Sequence, residues 1–376
     1  MSNPFCECNE DGPCRRYGRN MGGRMRDICA GVDVDLGTAA AFREQWLREA
    51  GPAAQRGGES QVPTPLLLKT DQAAGDAVAM TAAIYSLHRA HPGKYLTAVT
   101  SKYPEVFQYS PDLAYAPGAL PLHMHYPAIH ESNDRAIHFM QGWCEFLGAA
   151  LGVQVPLLTN RPCLYFADPA PPVEDFWLVC SGGKRDFTCK LWGRHNYQEV
   201  VDRLREQGNV WFVQVGGDGP DEDHPRLSGV QDMVGKTSLR QLFDLTRRTR
   251  GVLCGVSLLM HVAAALEKPA VVVAGGREPV PWNAYPRQHY VHTVGALPCR
   301  STQGHVGGGC WRSRVVPLGD GTVLDEEPCQ RPVDGTPTKL TRCIIPECMA
   351  MIRPAEVVEL VLRYDKQYDV PELQKV

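Results

Sequence analysis

Short apolar runs alternate along this chain with longer stretches whose apolar residues recur every three or four positions, which predicts a layered α/β protein. Leu66-Leu67-Leu68-Lys69 reads as a buried strand. A Gly75-Asp76 turn and a helix over Ala77–Ala90 follow it. Tyr95–Ser101 is the next strand and completes a β-loop-α-β unit, the building block of a parallel sheet. Residues 111–127 are loop-rich, and a helix resumes around Asp134 and runs to Leu151. The second half repeats the alternation more plainly. Strands are expected over Phe176–Cys180, Val210–Val215, near Val230, Gly251–Gly255 and Ala270–Ala274. Between them lie helices over Tyr197–Gln207, a segment from Gly235 with Thr237 or Ser238 as N-cap, and Ser257–Glu267. A last helix begins at Pro354, where a fixed φ suits the first helical position, and is expected to pack back across the domains. No internal repeat is visible.

The pattern divides the chain into four parts. Residues 1–60 are a Cys-rich N-terminal segment with a helix at Ala39–Ala50, running into a Gly/Pro-rich linker at Gly51–Pro65. Residues 61–172 and 173–350 form two doubly wound α/β domains facing a cleft, the second containing a Cys-rich loop at 299–348. Residues 351–376 carry the closing helix.

Composition adds constraints. At 43% hydrophobic and 22% charged, this is an ordinary soluble globular chain, long enough for a sizeable core. A formal net charge of −3 gives no global attraction to nucleic acid or anionic membrane, so any anion site must be local. No apolar stretch reaches the ~18–20 residues a membrane span needs, and the N-terminus lacks the apolar core of a signal peptide. A cytoplasmic setting without a membrane span is the expectation. Fourteen cysteines are many for such a setting. Without a sign of export, they point to metal sites rather than disulfides.

Three stretches carry candidate chemistry. In "SLLMHVAAALEKPAVVVAGG", Ser257 sits between a strand and a helix, where it can cap the helix. The amides of Leu258 and Leu259 and the positive end of the dipole point where an anion would bind. His261, one turn in, reads either as a satisfied core imidazole or as a group reaching a phosphate. In "GGKRDFTCKLW", Lys184, Arg185 and Lys190 follow a strand beside Gly182 and Gly183, suiting a diphosphate whose developing charge is met without a metal; a solvated basic loop is the plain alternative. Trp192 reads as a packing residue. In "KTDQAAGDAVAMTAAI", Asp76 is either an electrostatic cap or a general base, with Asp71 a weaker competitor.

Taken in order, these motifs resemble glycosyltransferase family 9, the ADP-heptose:lipopolysaccharide heptosyltransferase-like enzymes. The matches are Gly75-Asp76, Lys190-Leu191-Trp192, Gly235-Lys236-Thr237-Ser238-Leu239, and the His-x-Ala-Ala-Ala-Leu turn with Lys-Pro in "MHVAAALEKPAVVVAGG", spread over Leu66 to Tyr364. The resemblance implies a GT-B fold and inverting sugar transfer from an ADP-linked donor, with no catalytic metal. It makes Asp76 the base that activates an acceptor hydroxyl and Lys190 the cation on the departing diphosphate. Ser257, Leu258, Leu259, His261, Lys184 and Thr237 would surround the donor phosphates. The acceptor, be it a glycan, protein, small molecule or modified nucleic acid, is left open.

One departure is visible. Family members have Asp-[ST]-Gly before the histidine turn, whereas this chain has Val256, Ser257 and Leu258. That keeps alive a second reading, a catalytically degenerate, metal-stapled binding scaffold on the same fold. A dinucleotide-dependent oxidoreductase is disfavoured, because no G-x-G-x-x-G follows the first strand.

Among relatives that modify bacterial autotransporters, four cysteines hold an iron. By that similarity Cys299, Cys310, Cys329 and Cys348 are the expected ligands, with Cys343 spare; four thiolates would suit zinc equally. Cys6, Cys8, Cys14 and Cys29 form a weaker second set, with arginines interleaved that would suit a polyanion. His123, His125 and His130 lie in a loop suited to shaping an acceptor pocket or to plain surface. A homo-oligomer is compatible with all of this.

Overall fold

The computed structural model describes residues 63–119, 121–125, 137–185, 187–208, 210–297, 330–332 and 344–368. The Cys-rich N-terminal segment, the helix expected at Ala39–Ala50 and most of 299–348 lie outside these. The chain divides into two units, Met1–Asp168 and Pro169–Val376.

The first unit has a three-stranded parallel sheet in the order β2-β1-β3, from β1 (Thr64–Thr70), β2 (Tyr95–Ser101) and β3 (Pro121–His123). β1 begins inside the stretch expected as linker, because it pairs with all of β2 from Thr64↔Tyr95 onward. Helix α1 (Ala74–Ala90) joins them and starts three residues before the expected Ala77. Gly75 and Asp76 therefore lie in its first turn rather than in a preceding turn. Flanking alanines carry the helix across Gly75, and an acid is favoured there by the dipole. β3 falls in the loop-rich stretch; it is three residues long and pairs with β1 through Leu67↔Pro121, too short to show an alternation. α2 (Phe139–Leu151) starts later than Asp134 because His138 caps it, its Nδ1 accepting from the Met140 amide at 3.2 Å. It ends on Gly152, whose φ of 65° is left-handed.

The second unit is built on a six-stranded parallel sheet. Its strands are β4 (Trp177–Cys180), β6 (Phe212–Gln214), β8 (Gln231–Asp232), β9 (Gly251–Gly255), β10 (Ala270–Gly275) and β11 (Gln288–His292), in the order β11-β10-β9-β4-β6-β8. The helices are α3 (Arg194–Gly208), α4 (Leu239–Arg248), α5 (Leu258–Ala265), α6 (Val280–Asn283), α7 (Glu347–Ala350) and α8 (Pro354–Tyr368). β5 (Gly183–Lys184) pairs antiparallel with β7 (Glu222–Asp223), and β12 (Gln330–Pro332) with β13 (Ile344–Pro346). Ser238 is the cap of α4. Its hydroxyl accepts from the Gln241 amide and the Gln241 side chain accepts from the Ser238 amide, a reciprocal capping box.

One face of this sheet offers Trp177, Val179, Leu253, Val271 and Val273 to a core shared with Val200, Val201 and Leu204 of α3 and Val357, Val358 and Val361 of α8. α8 is thus locked onto the second unit. Trp177 Nε1 donates to Asp365 of α8 at 2.9 Å, and Trp192 Nε1 donates to the Ile352 carbonyl at 3.0 Å. Trp192 is fully buried edge-on to Tyr197, so it packs, as its position suggested. The strand order places the site. From β4 the chain winds outward to β6 and β8, then returns to β4's other side with β9, β10 and β11. The winding reverses between β4 and β9, and in open parallel sheets ligands bind outside the carboxyl ends of such strands.

Candidate functional site

The carboxyl ends of β4 and β9 bring two of the three motifs together. β4 leads into a loop ending in the one-turn helix Thr188–Lys190, while β9 leads through Val256 and Ser257 into α5. The Lys190 backbone lies on the end of β9: a Cβ on Gly255 would come within 3.5 Å of the Lys190 carbonyl. Ser257 occupies the N-cap position with extended backbone, φ −149° and ψ 178°, but its hydroxyl makes no capping bond. Ser257 Oγ is buried beside the Cys254 thiol and makes no hydrogen bond of sound geometry among the described residues. A helix start lacking its own side-chain acceptor leaves the first-turn amides for an incoming anion. His261 is buried in the second turn of α5, with Nδ1 2.8 Å from the Tyr285 hydroxyl and the two rings edge-on. That nitrogen is committed to Tyr285.

Lys190 does not stand in solvent. Its ammonium lies 2.6 Å from Glu278 Oε1, where the Glu278 side chain is 2% exposed and that of Lys190 25%. Arg277 donates to the same carboxylate oxygen and Asn283 to the other. Burial pushes the Glu278 carboxyl upward, and Lys190, Arg277 and Asn283 outweigh it, so the group is held below the usual carboxylate range. The Phe187 ring lies beneath both cations, 5.5 Å from Lys190 Nζ and 5.2 Å from Arg277 Cζ. Arg277 and Glu278 follow β10, on the other flank of β9. They were missed at the sequence level because a Gly-Gly-Arg-Glu-Pro run looks like a solvated turn.

A third element borders the same edge. β5 and β7 bring Lys184, which is exposed, opposite Glu222. In the sequence, Gly182 near Lys184 suggests backbone open to a ligand. Its empty Cβ position is instead filled by this chain: a Cβ there would lie 1.8 Å from the Asp223 carbonyl oxygen. Likewise a Cβ on Gly216 would meet the His224 ring at 2.4 Å. These glycines seat the returning strand. His224 Nδ1 lies 3.6 Å from Cys180 Sγ, and its Nε2 lies 3.6 Å from Glu222 Oε2. Burial would lower the imidazole pKa; the Cys180 sulfur and the Glu222 carboxylate outweigh that and raise it from 6.5 to about 10. A folded-state pKa above the unfolded value stabilises fully below the unfolded one and is lost as pH climbs through the folded one. The thermal midpoint should therefore decline between about pH 6.5 and 10. His224→Gln should flatten that decline in a pH series of melts, and an unchanged slope would refute the assignment.

The other expected residues are dispersed. Thr237 is half-buried immediately before the cap Ser238. Asp76 is half-buried in the first turn of α1. Asp71 is exposed, 3.9 Å from Lys102, an ion pair of little weight. His123 ends β3 and stacks with His125 at 6.4 Å; burial, then His123, lowers the His125 pKa. His130 and Cys6, Cys8, Cys14, Cys29, Cys299, Cys310 and Cys329 lie outside the described residues. Cys348 is the second residue of α7, with its sulfur 3.5 Å from where a Cβ on Gly276 would stand, next to the Arg277-Glu278 turn. Among the described residues no group of three His, Cys, Asp or Glu could hold a metal, and no helix is long and apolar enough to cross a membrane.

Comparison with known proteins bears on the fold. Residues 162–306 match the model of glycosyltransferase family 9 (heptosyltransferase), a shorter stretch than the Leu66–Tyr364 span of the motifs. Among curated proteins no sequence matches. Similar solved structures include the bacterial iron-containing dodecameric glycosyltransferase TibC from enterotoxigenic E. coli H10407. It has a TM-score of 0.55 and 17% identity, over 82% of this chain and 77% of that one. The dodecameric iron-containing heptosyltransferase TibC in complex with ADP-D-beta-D-heptose matches with TM-score 0.55 and 17% identity, covering 83% and 81%. E. coli ADP-heptose LPS heptosyltransferase II aligns with TM-score 0.48 and 14% identity, over 81% of this chain and 100% of that one. The α/β fold with parallel sheets is thus that of GT-B heptosyltransferase structures.

Proposed function

We propose that this protein transfers a sugar, heptose or a close relative, from an ADP-linked donor to an acceptor hydroxyl with inversion. One observation carries the reading. The winding of the second sheet reverses between β4 and β9, and at that point the Lys190 loop lies against the end of the strand that leads into Ser257 and α5. A cation beside an uncapped helix start is what a departing diphosphate needs. The amides of Leu258 and Leu259 hold the phosphates, with Lys184 and Thr237 at the margin. Asp76, in the first turn of α1, takes the proton from the acceptor. His123, His125 and His130 contribute to the acceptor pocket. No catalytic metal is required, since cations and helix amides supply the electrostatic work.

The family match to residues 162–306 supports the enzyme class, and the ADP-sugar in the similar TibC complex supports the donor. We place the enzyme in the cytoplasm, where its cysteines stay reduced. Its place among structures described as dodecameric and iron-containing supports a homo-oligomer with a structural iron or zinc on Cys299, Cys310, Cys329 and Cys348. Such a metal would brace the turn carrying Arg277 and Glu278, because Cys348 stands next to it. A second metal on Cys6, Cys8, Cys14 and Cys29 belongs to the same proposal. Elemental analysis of protein purified without chelator should find about one iron or zinc per chain or more. Cys348→Ser should lose one equivalent; a metal-free wild type would remove the metal from the proposal.

A thermal-shift panel of ADP, GDP, UDP, CDP and NADH tests the whole. At ~100 times its Kd, one nucleoside diphosphate adds roughly 2.7 kcal/mol, a rise of several degrees. ADP is expected to stabilise the wild type but not Ser257→Ala. If no diphosphate moves the midpoint, the degenerate scaffold, favoured by Val256 where the family has an acid, becomes the better reading.

A further inference from the structure

Glu278 raises a problem for the leaving-group role of Lys190, and its surroundings answer it. A carboxylate 2% exposed cannot be left without a counter-ion, yet Lys190 must release it to meet a diphosphate. We propose that Arg277 is a positioning residue that makes Lys190 releasable: it shares Glu278 with Lys190 in the ligand-free site and keeps that carboxylate neutralised when the ammonium turns to the phosphates. This rests on the assignment of Lys190 to the departing diphosphate.

Several observations converge. Lys190 Nζ and Arg277 Nη1 reach the same oxygen, Oε1, while Asn283 occupies Oε2, so two cations answer one carboxylate. The two differ in freedom. The Arg277 side chain is 8% exposed and belongs to the residue next to Glu278, whereas that of Lys190 is 25% exposed and comes from the β4 loop. Lys190 is the partner able to move, and Arg277 the one that stays. Phe187 lies close to both cations, so a flat apolar surface can support the ammonium before and after it turns. The pair flanks β9, whose end bears Ser257, so a released ammonium has a short path to the start of α5. Lowering of the Glu278 pKa, with Lys190 and Arg277 outweighing burial, agrees with a carboxylate that stays ionised throughout.

Calorimetric titration with ADP and with inorganic pyrophosphate tests this on wild type, Arg277→Gln, Glu278→Gln and the double variant. Arg277→Gln leaves Lys190 as the only cation on Glu278 among the described residues, and binding of both probes should weaken about tenfold. Glu278→Gln removes the carboxylate's hold on Lys190, and binding should hold or tighten by about threefold. In the double variant the net charge of the cluster returns to that of the wild type. Affinity should recover to within about threefold, a coupling usual for groups sharing one network. If Glu278→Gln weakens binding as much as Arg277→Gln and the double variant recovers nothing, the cluster only pins the turn and the proposal falls. If Arg277→Gln does not fold, Glu278→Gln decides alone: tighter or unchanged binding supports the proposal, weaker binding overturns it. A wild type that binds neither probe would instead fail the Lys190 assignment. A wild type that binds, is silenced by Lys190→Ala and is indifferent to Arg277→Gln would sink only the shared counter-ion.

Discussion

Lys190→Ala should remove stabilisation by ADP and reduce kcat/KM for sugar transfer by about 10²–10³, the usual cost of deleting one group aimed at developing charge. Stability in the absence of ligand should change little, and the reason is local. Removing the ammonium leaves Glu278 with Arg277 and Asn283, so no buried carboxylate is stranded. The variant therefore separates function from folding better than most changes at a buried ion cluster. The measurement is release of nucleoside diphosphate from the donor under single-turnover conditions, alongside a melt without ligand. A fall in kcat at unchanged donor affinity would place the lysine's contribution in the transition state alone. A drop of several degrees in the ligand-free melt would show that Lys190 holds the loop together. Its leaving-group role would then have to be abandoned.

How far this site could be read in the sequence depended on whether its interactions were local. β9 was expected over Gly251–Gly255 and is found there, because a continuous apolar run between polar flanks is a local signal. The turn into α5 was legible for the same reason, a serine between a strand and an apolar helix. The Lys190 motif was recognisable, but its partner was not. Glu278 lies far along the chain and reaches Lys190 only because β10 packs beside β9, which packs beside β4. His261 posed an ambiguity that Tyr285 meets, from beyond the next strand. β5 and β7, two residues each, carry no pattern at all. Gly182 suggests room for a ligand in the sequence, and in the fold that room holds Asp223. In each case a residue type was visible and its partner, supplied by the sheet, was not.

Asp76→Asn should lower kcat by about 10²–10⁴ while leaving donor affinity close to that of the wild type, since an amide of nearly the same shape cannot accept the proton. Asp76 sits in the first turn of a helix whose cap residue, Ala73, offers no side-chain acceptor, beside the positive end of the dipole. The same charge–dipole interaction contributes only about 0.3–1 kcal/mol to stability, so the variant should fold and melt near the wild type. Asp71 is the control: exposed and loosely paired with Lys102, Asp71→Asn should leave the rate within about twofold. This pair of variants also decides between enzyme and scaffold. If Asp76→Asn keeps the full transfer rate, the proton goes elsewhere and the base is wrongly assigned. If the wild type binds ADP but transfers no sugar, and Asp76→Asn leaves its biological role intact, the phosphate site has outlived the catalysis. The Val256 substitution would then mark where that catalysis was lost.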